Sequence, residues 1–154
     1  MYSLLESAEE FKKELGEGSV VELAIWFHDV IYVPGSAVNE RESARLFEDV
    51  VYSKLRHCLD YSKLTKKNLR SIVAYIIATE NHTAIDTASD QDLEFFLDFD
   101  LSVLGANWEE YSEYTSNIRK EYIMYPYSFY AKKRKEFLKC IAECKNSPFK
   151  TKEF

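Results

Sequence analysis

Apolar positions along the chain recur every three to four residues, the period of helices that turn one face to a core. Leu4, Leu5, Ala8, Phe11 and Leu15 mark a first helix, which Gly16-Glu17-Gly18 stops. Ser19 and Glu22 have capping-box spacing and predict a second helix, whose body from Val20 to Ile31 is apolar nearly all round. Such a segment belongs at the centre of a domain. Pro34-Gly35-Ser36 predicts a turn, and Ala44, Phe47, Val50, Val51 and Leu55 line the inner face of a third helix over 39–59. Thr65 opens a fourth helix with Leu69, Ile72, Val73, Ile76 and Ile77 inward, ending near Thr79 before a polar loop from His82 to Asp90. A fifth starts at Asp90 or Gln91 and carries Leu93, Phe96, Leu97, Leu101 and Leu104 to a stop at Gly105. Trp108, Tyr111, Tyr114 and Ile118 belong to a sixth, and the seventh runs from Tyr127 to Cys144 with Phe137 and Ile141 buried. Residues 145–154 are polar and read as a loosely held tail.

Composition narrows the fold class. The 154 residues suit one domain, 1–154, and contain only four Gly and three Pro. Sandwiches and barrels need more turn residues than that, and no Gly-rich phosphate loop can be built. An all-α bundle of about seven helices remains, so any chemistry must come from side chains. The net charge of −6 argues against general nucleic-acid binding, and Lys132-Lys133-Arg134-Lys135 reads as a solvated helix face. Cys140 and Cys144, four apart, suit an apolar stripe better than a disulfide or a zinc site. Neither a signal peptide nor 18 uninterrupted apolar residues is present, so a soluble cytoplasmic chain without membrane contact is expected. In that setting the sequon Asn81-His82-Thr83 is a coincidence.

Polar residues that interrupt apolar helices are the candidate chemistry. His28-Asp29 breaks the most hydrophobic segment, Ala24 to Tyr32, and an imidazole with a carboxylate can ligate Zn, Fe, Mn or Ni. A histidine and aspartate satisfied by caps or core hydrogen bonds are the competing interpretation. Asp98 and Asp100 sit two apart in another apolar helix and point about 200° from each other, so one of them can share a site with His28. His82 lies just past a buried helix.

Together, Ala24-Ile25-Trp26-Phe27-His28-Asp29-Val30-Ile31-Tyr32 through Asn39-Glu40-Arg41-Glu42-Ser43-Ala44, Thr79 to His82, Asp98 to Gly105 and Ile118-Arg119-Lys120-Glu121-Tyr122 resemble a small family of predicted hydrolases in the HD-domain superfamily. The resemblance implies an HD-like helical domain that hydrolyses a phosphate ester, most often a nucleotide, with a divalent metal (Mn, Fe, Ni, Zn, Co or Mg). It implies His28, Asp29, His82 and Asp100 as ligands, with Asp98 the second choice for the closing carboxylate. Glu40 would be the general base, and Arg119 a phosphate contact or a salt bridge. The family's pattern also has a histidine in a Tyr-His-x-x-x-His-Ile-like segment before the HD pair, whereas His28, His57 and His82 are the only histidines here. Met1 to Leu5 aligns just after that segment. Either the start lies upstream or a ligand has been lost. A catalytically silent module that binds a nucleotide or a protein is therefore the rival reading. The two Trp, eleven Tyr and ten Phe, clustered around Tyr122 to Tyr130, also admit an interface such as a homodimer.

Overall fold

The computed structural model describes residues 2–53, 64–82, 84–87, 89–143 and 147–154, and every regular element among them is helical. There are seven α-helices: α1 (Tyr2–Glu10), α2 (Gly18–Phe27), α3 (Asn39–Ser53), α4 (Lys66–Ala78), α5 (Gln91–Leu101), α6 (Trp108–Glu121) and α7 (Tyr127–Ala142). Short 3-10 turns follow α4 and α5, over Thr79–Asn81 and Ser102–Gly105. No helix among the described residues is long and apolar enough to cross a membrane.

The all-round apolar α2 lies at the centre. Val20, Val21, Ala24 and Ile25 are fully buried, and α1, α3, α4 and α5 all pack against it. Phe47 of α3, Ile72 and Ile76 of α4, and Phe95, Phe96 and Phe99 of α5 complete the core. Burying side chains of this size stabilises by about 1.5–3 kcal/mol each, set against the entropy of ordering the chain. Thr65 caps α4 in a capping box with Asn68, as Asp90 caps α5 by accepting from the Leu93 N–H at 3.1 Å.

Four expectations are corrected. The capping box at Ser19 does not form: α2 begins at Gly18, and the N–H groups of Gly16 and Glu17 donate to the Asp92 carboxylate of α5, each at 2.8 Å. That helix also ends at Phe27, not Ile31, so His28-Asp29 occupies the turn that leaves it. In α4 the buried face takes Tyr75, whose hydroxyl donates to Asp90 at 2.6 Å, and Ala78, and leaves Ile77 exposed, about 100° round the helix from the fully buried Ile76. In α7 Phe137 is 41% exposed and Ile141 half-buried. Neither α6 nor α7 contains a buried residue, so the two form a hairpin on the outside of the bundle.

The tail is a further correction. Asp98 is completely buried and accepts from the backbone N–H of Lys150, the backbone N–H of Thr151 and the Thr151 hydroxyl, each at 2.7 Å. Phe154 lies against Phe11, Phe99 and Phe149. A carboxylate inside apolar surroundings must be hydrogen-bonded, and residues 150 and 151 supply the donors. The expected extension of α3 past Ser53, with Leu55 and His57, falls outside the described residues, as does Cys144.

Candidate functional site

The loop from α2 to α3 is shaped by two buried polar residues on α3. Asn39 accepts from the Val33 N–H at 3.0 Å and donates to the Val33 carbonyl at 3.1 Å. One turn later, Ser43 accepts from the Ile31 N–H at 3.0 Å and donates to the Ile31 carbonyl at 3.2 Å. Their i, i+4 spacing on the inner face of α3 is the signal that marks them as anchors of this loop. Gly35, at φ 82°, makes the turn, and a Cβ there would strike the Tyr125 hydroxyl, which donates to the Pro34 carbonyl at 3.2 Å.

The loop begins with His28. Its imidazole is 5% exposed, meets the ring of Phe96 edge-on, and donates from Nδ1 to the Ile25 carbonyl at 2.8 Å. A carbonyl can only accept, so Nδ1 carries a proton and Nε2 is aimed outward. Nε2 lies 3.5 Å from Asp29 Oδ2 and 3.4 Å from Asp100 Oδ1. The other oxygen of Asp100 receives His82 Nε2 at 2.7 Å. Asp100 thus stands between two imidazoles that arrive from different segments, while Asp98, on the opposite side of α5, holds residues 150 and 151. His82 is placed by the 3-10 turn at Thr79–Asn81, which Arg41 of α3 grips through Glu80 at 3.0 Å.

These contacts set the protonation of the cluster. Burial alone would lower the pKa of His28, but the contact with Asp100 and the charges of Asp100 and Asp29 outweigh it and push it up to about 9. Burial acts to raise Asp100, yet the two histidines hold it well below the usual carboxylate range. Asp29, more exposed, is pushed up by partial burial, an effect opposed by His28 and reinforced by Asp100, Glu40 and Glu121. Glu40 and Glu121 thus lie near enough for their charges to act on Asp29.

The donor set has the right chemistry for a divalent metal: two imidazoles and two carboxylates, with one imidazole already oriented by its other nitrogen. Two ligands about 2.1 Å from one tetrahedral ion would be roughly 3.4 Å apart, close to the two His28 contacts. The His82–Asp100 contact is tighter than that, and as the side chains stand no group of three or more His, Cys, Asp or Glu among the described residues is disposed to hold an ion. Two expected features lie elsewhere. The Arg119 guanidinium donates to the carbonyls of Tyr122 at 2.7 Å and Tyr125 at 3.3 Å and lies over the Tyr130 ring, so it fastens the α6–α7 turn. In the basic run of α7, Lys132, Lys133 and Lys135 are exposed as a solvated face requires, whereas Arg134 is half-buried against the rings of Tyr114 and Phe137 and lines a cavity of about 500 Å³. Comparison with protein-family models, with curated proteins and with solved structures finds no match to this chain.

Proposed function

We propose that the chain is a metal-dependent phosphohydrolase of the HD type. The observation that carries this reading is the meeting of His28, His82 and Asp100, from the end of α2, the loop after α4 and the last turn of α5. A buried imidazole and two partly buried partners are costly to assemble, and packing alone gives no reason to bring the three together. The ion would be held by His28, Asp29, Asp100 and His82, and when bound it supplies a Lewis acid for phosphoryl oxygens. The Ile25 carbonyl keeps His28 Nε2 turned to the site, and Asp100 fixes the spacing of the two imidazoles. Glu40, whose charge acts on Asp29, would take the proton from the attacking water, a role open to a carboxylate near the site.

Elemental analysis of protein purified without chelator tests the reading, together with hydrolysis of a phosphate-ester panel in Mn, Co, Ni and Mg. Near-stoichiometric metal and a hydrolysis that Asp100→Asn abolishes are expected. Metal-free protein inert to the whole panel would overturn it.

The hydrogen bond that already closes His82 onto Asp100, and the proton that His28 retains, favour a second reading. In it the cluster is a structural ion-pair chain, and the fold is a silent module that binds a nucleotide or a protein. Unchanged melting of the wild-type protein on addition of chelator or metal is the result that reading requires.

A further inference from the structure

We propose that the cavity between the α2–α3 loop and the α6–α7 hairpin binds a small planar molecule bearing an oxyanion, and that Arg134 is the residue that recognises the anion. The cavity, about 500 Å³, is walled by aromatic rings, among them Tyr32, Tyr114, Tyr122, Tyr125 and Phe129, with Lys133 and Arg134 along one side. That volume lies within the range of small-molecule sites.

The guanidinium of Arg134 is only partly provided for: the Tyr114 hydroxyl interacts with it, and one edge is left over. Its carbon lies 5.3 Å from the centre of the Tyr114 ring and 5.2 Å from that of Phe137. Rings satisfy a guanidinium through its charge and its flat faces, whereas its N–H groups point outward in the plane and need acceptors. Nε and Nη2 are both buried and have no hydrogen-bond partner. They are the neighbouring donors of one edge, the fork that fits two oxygens of a carboxylate or phosphate. Two other arginines are provided for: Arg119 has two carbonyls, and Arg41 has the Glu80 carboxylate. Leaving a buried cationic donor unpaired is costly, so an arrangement that does so suits an acceptor brought from outside. Phe137, 41% exposed and against the guanidinium, has to turn aside for an anion to reach the fork, and the tyrosine faces that line the cavity suit a flat ring.

None of the candidate-site residues lines the cavity, but two of its wall residues lie within reach of that site's charges or chain. Tyr32, in its wall, follows Asp29 by three residues, and the charge of Asp100 bears on Tyr114. As a statement about substrate, the inference rests on the hydrolase reading; as a statement about binding, it stands on the cavity and Arg134.

Calorimetric titration in the presence of chelator, where metal-assisted hydrolysis does not run, separates the two. Four probes are compared: phenyl phosphate, benzoate, inorganic phosphate and benzyl alcohol. The wild-type protein should bind one or both ring-bearing anions at least about tenfold tighter than the phosphate ion or the neutral ring. The preferred anion identifies the oxyanion as phosphate or carboxylate. Arg134→Leu, checked for an unchanged melt, should weaken that binding at least about tenfold, and Arg134→Lys should restore part of it. Equal affinities in Arg134→Leu and wild type, or no binding of either anion at millimolar concentration, would overturn the proposal. Arg134-dependent binding by a protein that hydrolyses nothing sustains it while removing the hydrolase reading; hydrolysis without such binding does the reverse.

Discussion

Asp90, Asp92, Asp98 and Asp100 lie within eleven residues, yet each carboxylate faces a different task. Asp90 caps its own helix, Asp92 receives the chain entering α2, Asp98 receives residues 150 and 151, and Asp100 joins two histidines. Replacing Asp98 and Asp100 should therefore have opposite signatures. Asp98→Asn should cost about 2–3 kcal/mol in urea unfolding, because a buried carboxylate loses charge-assisted bonds, and should leave metal content unchanged. Asp100→Asn, partly exposed, should cost less, about 1–2 kcal/mol, and abolish any metal binding. The cluster also predicts a pH dependence in chelator-treated protein. Folded His28 keeps its proton to about 9, while an unfolded histidine releases it near 6.5. Its stabilisation, at most about 3 kcal/mol, is complete below roughly pH 6.5 and is lost as pH rises through about 9. Asp100 acts at the other end: its contribution is present above about pH 4 and lost as pH falls. Urea midpoints across pH 6 to 10 should fall for wild type and stay flatter for His28→Gln. His28, Asp29 and Asp100 stood out as candidates in the sequence because polar residues interrupting apolar helices are conspicuous, whereas His82, in a loop, entered through the resemblance alone. Which aspartate faced His28 was decided by helical phase, which spacing alone left open.

At the scale of elements, patterns confined to one helix were legible, and features that depend on a distant partner were not. Thr65 caps α4 through its own neighbour Asn68, and the period of α4 is local as well. The start of α2 is different, because its capping carboxylate comes from Asp92, some 75 positions away. The local pair Ser19 and Glu22 imitated a cap that the fold had already supplied. Accordingly, Ser19→Ala should change stability by less than about 0.5 kcal/mol, whereas Asp92→Ala should cost about 1–2 kcal/mol in the same unfolding assay. A comparable loss from Ser19→Ala would restore the local cap. The face of α7, expected to bury Phe137 and Ile141, differs for a related reason. Apolar period implies a core only where another element covers it, and here Trp108 and Tyr127 remain more than 70% exposed. The same geometry leaves Arg134 half-buried beside an aromatic cavity.

For the molecule as a whole, residues 147–154 close the bundle and are not an appendage. They bring three donors to a carboxylate with no access to water, and Phe154 joins Phe11 of the α1 turn to Phe99 of α5. Polar composition hid this role, because the interaction uses backbone N–H groups, which every residue possesses. Removing residues 147–154 should therefore destabilise far more than trimming an exposed end. The Asp98 carboxylate would be left buried without acceptable partners, and the loss should reach about 3–5 kcal/mol. A double-mutant cycle isolates the cause. If the penalty comes from the stranded charge, the same deletion in Asp98→Asn should cost at least about 1 kcal/mol less, since a neutral amide is cheaper to leave unpaired. If the deletion costs the same in both backgrounds, Phe154 and its ring contacts carry the closure. The electrostatic account of the tail then fails.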